Sequence, residues 1–261
     1  MIIDSHAHIF PEKIAQKASD NIGRFYDIPM DLDGTVDALL KAHDKAGISK
    51  AVVQSVATSP LQVCAINDFI TAQVNAHSDR LIGFMTLHPD YENIFDEVER
   101  ATDAGLLGIK LHPDFQLFSL NDKKAYPIYE AAVAKDLPIL IHAGDPRYKF
   151  SNPALIREVL DNFPRLKVIA AHFGGWSEWD EASQCLGDKE VWIDTSSSLY
   201  SISKEKALKL LDIFGTDYTL FGTDYPMWEP CEEIKRVEAL GLDNETMEKI
   251  YHKNIEGLLH I

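Results

Sequence analysis

A (β/α)8 barrel is the fold class that this sequence of 261 residues predicts, on three observations. Eight short runs rich in aliphatic, β-branched or aromatic residues recur, beginning at Ile2, Ala51, Leu81, Leu107, Pro138, Lys167, Val191 and Thr219. Those starts lie roughly one βα unit apart, and eight such units in about 250 residues is the barrel signature. Amphipathic stretches fill the intervals, so strand alternates with helix throughout. A doubly wound open sheet competes, but no glycine-rich phosphate loop follows the first strand, where that fold usually carries one.

Taken in order, the run at residues 2–9 holds His6 and His8 two positions apart, so an extended strand turns both imidazoles to one face. The long interval at residues 10–33 contains Pro11, Gly23, Pro29 and the pair Phe25-Tyr26. Loops after barrel strands lie on the catalytic face. This segment is therefore expected to cover the site and lend Phe25, Tyr26 or Arg24 to the substrate; a surface excursion without a role is the alternative. Residues 34–46 read as a helix closed by Gly47, and residues 92–104 as one closed by Gly105. The third run, residues 81–88, ends at His88. In the fourth, residues 107–112, Lys110 and His112 share a face. The fifth, residues 138–144, ends in Ile-His142-Ala-Gly with Arg147 just beyond, and the sixth, residues 167–174, in Ala-His172-Phe-Gly. After the seventh run, residues 191–197, the eighth at residues 219–225 delivers Asp224, and residues 244–261 read as a closing helix. With no linker, low-complexity tract or further repeat, residues 1–261 are assigned to one domain.

Composition narrows the partners. Lys plus Arg total 25 against 41 Asp plus Glu, a net charge of −16, and such a field repels phosphate backbones and anionic membranes. A small-molecule substrate is expected, with no nucleic acid and no membrane; a homodimer is compatible with the chain. Cys64, Cys185 and Cys231 are far apart and form no C-x-x-C pair, against both a disulfide framework and a thiolate zinc site. The absence of a leader-like start and of any apolar run of about 18 residues leads to an expected cytoplasmic location.

A lone histidine at a strand end is more often structural than a ligand. Here His6, His8, His142, His172 and Asp224 fall at the ends of strands 1, 5, 6 and 8, and in a closed barrel those ends converge. Asp224 follows the apolar run Leu220-Phe221-Gly222-Thr223, and a carboxylate buried there needs a cation or several donors. A divalent ion held by imidazoles and a carboxylate, with a position left for water, makes hydroxide near neutral pH.

The opening Asp-Ser-His-Ala-His, the Gly-Ile-Lys-Leu-His-Pro at 108–113, the two later histidines, the Gly-Thr-Asp-Tyr-Pro at 222–226 and the Lys-Ile-Tyr-His-Lys-Asn at 249–254 resemble the amidohydrolase superfamily. More narrowly they resemble its amidohydrolase-2 branch, which includes aminocarboxymuconate-semialdehyde decarboxylase, resorcylate-type decarboxylases and pyrone-dicarboxylate lactonase. The resemblance implies one divalent metal, usually Zn2+ with Mn2+ or Fe2+ as alternatives, held by His6, His8, His142 and Asp224. It also implies His172 beside the reacting group and Asp224 as general base and acid. Binuclear members carry a carboxylated strand-4 lysine, which Lys110 would permit; the closer branch resemblance favours one metal.

The expected function is a metal-dependent hydrolase that cleaves an amide, lactone or related acyl bond of a small, carboxylate-bearing substrate. Lys110, Arg147 and His112 are the candidate substrate contacts, Arg147 as a two-point clamp or, alternatively, as the ion-pair partner of Asp145. Non-oxidative decarboxylation of a small unsaturated or aromatic acid on the same site is the alternative chemistry. A barrel that binds a metal or ligand without turnover is the reading from another class. His88 stands as a secondary candidate, and Trp176 and Trp179 are expected to pack the following helix.

Overall fold

The computed structural model describes residues 1–261. Eight parallel strands are ordered β1 to β8 around a barrel: β1 (Ile3–His8), β2 (Lys50–Gln54), β3 (Leu81–Thr86), β4 (Gly108–Leu111), β5 (Ile139–Ile141), β6 (Val168–Ala170), β7 (Trp192–Asp194) and β8 (Thr219–Leu220). Each falls on one of the eight expected runs, seven of them shortened within it and β2 starting one residue earlier, at Lys50. The helices are α1 (Glu12–Tyr26), α2 (Val36–Ala46), α3 (Val63–Ala76), α4 (Ile94–Asp103), α5 (Pro113–Gln116), α6 (Tyr126–Ala134), α7 (Pro153–Asn162), α8 (Trp179–Leu186), α9 (Lys204–Phe214), α10 (Pro230–Glu238), α11 (Asn244–Glu248) and α12 (Asn254–Leu259).

Closure between β8 and β1 uses backbone and side chain together. Ser5 N–H donates to the Phe221 carbonyl at 2.8 Å, Asp224 N–H to His6 at 2.8 Å and His8 N–H to Tyr225 at 2.7 Å. Asp4 reinforces the seam: its carboxylate accepts from Thr223 N–H at 3.0 Å and the Thr223 hydroxyl at 2.5 Å, with His43 Nε2 of α2 at 3.1 Å. These bonds fix the height of Asp224 relative to His6 and His8.

Strand alternation sorts the core into two bodies. Ile109, Leu111, Ile139, Ile141, Val168 and Ala170 point outward into the layer shared with the helices, while Leu140 and Ile169 point into the barrel with Ile3, Val52, Phe84 and Leu220. Ile255, Leu258 and Leu259 of α12 pack on this inner layer. The lumen therefore has an apolar floor, and the buried polar side chains His6, Lys110 and Asp194 lie above it, towards the strands' C-terminal ends.

Residues 10–33 depart from expectation. Instead of a loop they contain α1, a helix of 15 residues. Ile14, Ala18, Ile22, Phe25 and Tyr26 recur at helical spacing and line the central cavity, while Ala15, Ser19 and Gly23 form the buried face. Gly23 suggests a breaker in the sequence but serves close approach: a Cβ there would lie 2.7 Å from the Ile28 carbonyl oxygen and 2.8 Å from Met30. The chain then leaves α1 through Asp27, in the left-handed region at φ +56°. At the other end of the chain, the expected closing helix comprises α11 and α12 joined by a π-helical turn at Lys249–Lys253.

Candidate metal centre

The ring nitrogens of His6 define the centre. His6 Nδ1 lies 2.8 Å from Asp194 Oδ2, and its Nε2 lies 2.9 Å from Lys110 Nζ. A carboxylate can only accept and an ammonium can only donate, so Nδ1 carries the proton and Nε2 offers a lone pair. His8 Nε2 is 3.3 Å from His6 Nε2, and Asp224 Oδ1 is 3.4 Å from His6 Nε2 and 3.5 Å from His8 Nε2. His6, His8 and Asp224 thus form a triple of candidate ligand atoms, all within 4.8 Å of one another.

This donor set suits a cation. Burial lowers His8 to about 4, so its imidazole is neutral near pH 7. Burial alone would raise Asp224, but His6 and the contact with His8 outweigh it and hold the carboxyl well below its ordinary range. A carboxylate only 13% exposed and facing two imidazole nitrogens is the hard-and-borderline N/O set that zinc, manganese or iron accepts. The Lys110 ammonium already brings positive charge to the same lone pair. Burial lowers that lysine to about 8, opposed by Asp224 and Asp194.

Asp194, absent from the sequence-predicted set, is the anchor beneath His6. It is fully buried, and beyond His6 it accepts from His172 N–H at 3.0 Å, Ser196 N–H at 3.1 Å and the Ser196 hydroxyl at 2.5 Å. Burial would raise its carboxyl, yet His6 and these partners press it well below the usual range. A carboxylate behind a ligating histidine fixes the tautomer and raises the basicity of the other nitrogen. His6, His172 and Asp194 also lie close enough to be a second triple, but their contacts are these internal hydrogen bonds. The available signal was an acid inside an otherwise apolar strand, at lumen parity. Gly222 makes room for the arrangement, since a Cβ there would lie 3.0 Å from His6 Cβ.

His142 stands apart from the triple. Its Nδ1 is 3.0 Å from His172 Nε2, its Nε2 is 3.5 Å from the Tyr26 hydroxyl, and its ring stacks on His112 at 4.0 Å. His172 Nδ1 faces Ser196, with the carbonyl at 3.2 Å and the hydroxyl at 2.9 Å. Burial lowers His172 to about 4 and His142 well below its ordinary value. A chain of neutral imidazoles therefore runs from Ser196 through His172 and His142 to Tyr26. Tyr26 closes it, its hydroxyl 2.7 Å from His112 Nε2, so α1 contributes directly to the site.

Asp224 is set at its rim by backbone and side chain alike. Ser197 donates to its Oδ2 at 2.6 Å and in turn receives Trp228 Nε1–H at 2.8 Å. His172, Ser197 and Asp224 have φ of +61°, +48° and +58°. Three non-glycine residues in the left-handed region after three successive strands mark a rim whose backbone is constrained to aim side chains inward.

The other expected contacts divide. Lys110, His112, His142 and His172 line the central cavity of about 710 Å3 with His6, His8 and Asp224. Arg147 does not line it: Nε and Nη2 donate to buried Asp145 at 2.9 and 2.7 Å, and Nη1 donates to the Phe25 carbonyl at 2.6 Å. The expected substrate clamp instead latches the end of α1 over the barrel, because Asp145 saturates the fork before a ligand could. Arg24 is exposed and also away from the cavity. His88 accepts from Asp90 N–H at 3.1 Å, and Trp179 belongs to the helix-side core. Trp176 meets the Tyr26 ring at 5.2 Å, edge to face.

Comparison with known proteins places the chain among enzymes. The family model described as Amidohydrolase matches residues 3–261. Decarboxylase orsB of Emericella nidulans is 25% identical, with 86% of this chain and 85% of that protein covered. A dihydroorotase of Helicobacter pylori is 23% identical over 79% of this chain and 62% of its own length. Among solved structures, 5-carboxyvanillate decarboxylase from Sphingomonas paucimobilis superposes with a TM-score of 0.78 at 16% identity, covering 100% of this chain and 99% of that one. No helix is long and apolar enough to cross a membrane.

Proposed function

The chain belongs to the amidohydrolase family, whose members are metal-dependent enzymes, and from that premise we propose a hydrolase that cleaves an amide, lactone or related acyl bond of a small substrate. One divalent cation, zinc, would be held by His6, His8 and Asp224, with His142 from the end of β5 as the candidate fourth ligand. When bound, such an ion polarises the acyl oxygen and lowers the pKa of water.

The chain's own groups do the rest. Asp224, ionised and aimed by Ser197, takes the proton of the attacking water and passes it to the leaving group. Asp194 keeps the His6 proton on Nδ1, so that Nε2 stays a lone-pair donor. His172, anchored on Ser196, orients the acyl group, and Lys110 and His112 contact the substrate from β4 and its end. Tyr26 and the α1 face above it limit the entry of bulk water.

The observation that carries hydrolysis over decarboxylation is the scarcity of free cations: Lys110 is the only Lys or Arg lining the cavity, and Arg147 is committed to Asp145. Decarboxylation is the second reading, supported by the name of a relative that covers 86% of the chain. Zinc-loaded protein, assayed for proton release from lactones, amine release from amides and carbon dioxide release from unsaturated and aromatic acids, separates the two. Asp224→Asn should keep the fold and abolish whichever activity is found. Turnover undiminished in that variant would remove Asp224 from the mechanism, and carbon dioxide release alone would replace hydrolysis by the second reading.

A further inference from the structure

Of the 29 residues that line the cavity 15 are hydrophobic, and outside the histidine and Asp224 cluster the polar ones include the uncharged Asn21, Thr58 and Gln62. Beyond the histidine and Asp224 cluster its lining takes in Ile14, Ala18 and Ile22 of α1, Leu61 just before α3, and Ala65 and Ile66 in its first turn. Phe10, Phe69 and Phe115 also border it. The apolar character continues to the protein surface: Ile14, Leu61 and Leu117 are among the few large hydrophobic side chains left exposed, at 49%, 92% and 72%. Exposed leucines clustered at the mouth of one cavity, rather than scattered, mark a surface that meets an apolar ligand. The volume, about 710 Å3, is mid-range for sites that enclose ligands of roughly 300–1,000 Å3.

Charge restricts the ligand further. Lys110 is the only lining cation and sits at the inner end, while the carboxylates Asp114 and Asp224 also line the space. A second anionic group on the ligand would meet no second cation to offset its desolvation.

We propose that the site takes an amphiphile: a substrate with an acyl or single carboxylate head at the histidine cluster and an extended hydrocarbon body lying between α1 and α3, its end at the Ile14, Leu61 and Leu117 rim. This rests on the proposed hydrolase reading for the position of the head, and adds the chemistry of the body.

Straight-chain hydroxamic acids of increasing length, from acetohydroxamate to decanohydroxamate, test it by calorimetric titration into the protein with zinc and with a chelator. Affinity should rise about fourfold for each methylene buried, on the usual transfer free energy of a CH2 group. Ala18→Trp and Ala65→Trp, which fill the channel from opposite walls, should each collapse the ratio of decano- to acetohydroxamate affinity by tenfold or more. Ala65 is exposed, so its variant folds even if the α1 variant does not. An affinity that does not grow with length, or growth that survives both channel-filling variants, overturns the proposal. Length dependence that persists with chelator, with no strengthening by zinc, supports the apolar channel while defeating the metal reading. A dimer broken by Leu61→Glu, together with a flat length series, would assign the rim to a second copy of the chain and overturn the amphiphile.

Discussion

Replacing Asp194 by Asn tests whether the centre depends on one proton. In the structure the His6 Nδ1 proton points at Asp194 Oδ2 across 2.8 Å, which leaves the Nε2 lone pair on the side of Lys110, His8 and Asp224. An asparagine of the same shape can still accept from His172 N–H and Ser196 N–H through its oxygen, so the β6 and β7 ends keep their bonds. Its amide nitrogen then faces His6 Nδ1 as a donor. To accept that bond the neutral imidazole must move its proton to Nε2, and the lone pair aimed at the centre is lost. Loss of such a supporting partner costs about 10–100-fold in metal affinity. That corresponds to about 1.4–2.7 kcal/mol, close to the roughly 1.5–3 kcal/mol expected of one charge-assisted hydrogen bond. Competition with a chromophoric chelator measures the zinc affinity, and thermal melting without metal checks the fold. Asp194→Ala serves poorly, because it orphans His6 Nδ1, His172 N–H and Ser196 N–H together, at roughly 1–3 kcal/mol each. Zinc affinity in Asp194→Asn within twofold of wild type, at an unchanged melting temperature, would refute the tautomer argument.

Further predictions concern the latch, the core and pH. Arg147→Ala removes two bonds to buried Asp145 and one to the Phe25 carbonyl, and should cost roughly 1.5–3 kcal/mol by chemical denaturation. The same variant should raise KM more than it lowers kcat, because it frees the end of α1 without touching the reacting groups; a fall in kcat alone would contradict the latch. Leu140→Ala, in the apolar floor of the barrel, should cost about 2–5 kcal/mol in the same assay. Burial raises the Glu233 carboxyl to about 8 against an ordinary 4.5, despite the opposing Arg236. Between those values the folded chain holds a proton that the unfolded chain has released, so stability falls as pH rises through that window. Glu233→Gln removes the loss, and its melting temperature should gain on wild type steadily from about pH 5 to about pH 8; a constant difference would show that Glu233 does not titrate there.

Much of the molecule was legible in one dimension because the barrel is built from local repeats. Eight apolar runs about one βα unit apart fix strand count and order, and the period of two within each strand fixes which side chains face the lumen. Lys110 between Ile109 and Leu111 reads inward for that reason, as do His6 and His8. Helix ends marked by Gly47 and Gly105 were readable too, each glycine at positive φ.

What the sequence by itself determined, then, was the fold, the face of each strand and the convergence of histidines with Asp224. The tertiary structure alone decided which of those groups touch. Asp194 meets His6 across 188 residues and Tyr26 meets His112 across 86, and no local spacing encodes such pairs. Arg147 looked free beside the strand-5 motif because nothing in its vicinity shows that Asp145 takes its Nε and Nη2 and the Phe25 carbonyl its Nη1. The segment at residues 10–33 looked like a loop because Gly23 and Pro29 break helices in isolation. In the folded chain Ala15, Ser19 and Gly23 are buried, Phe25 packs on Phe115 and Tyr148, and Tyr26 packs on Trp176; these contacts, made by residues far off in the chain, stabilise α1.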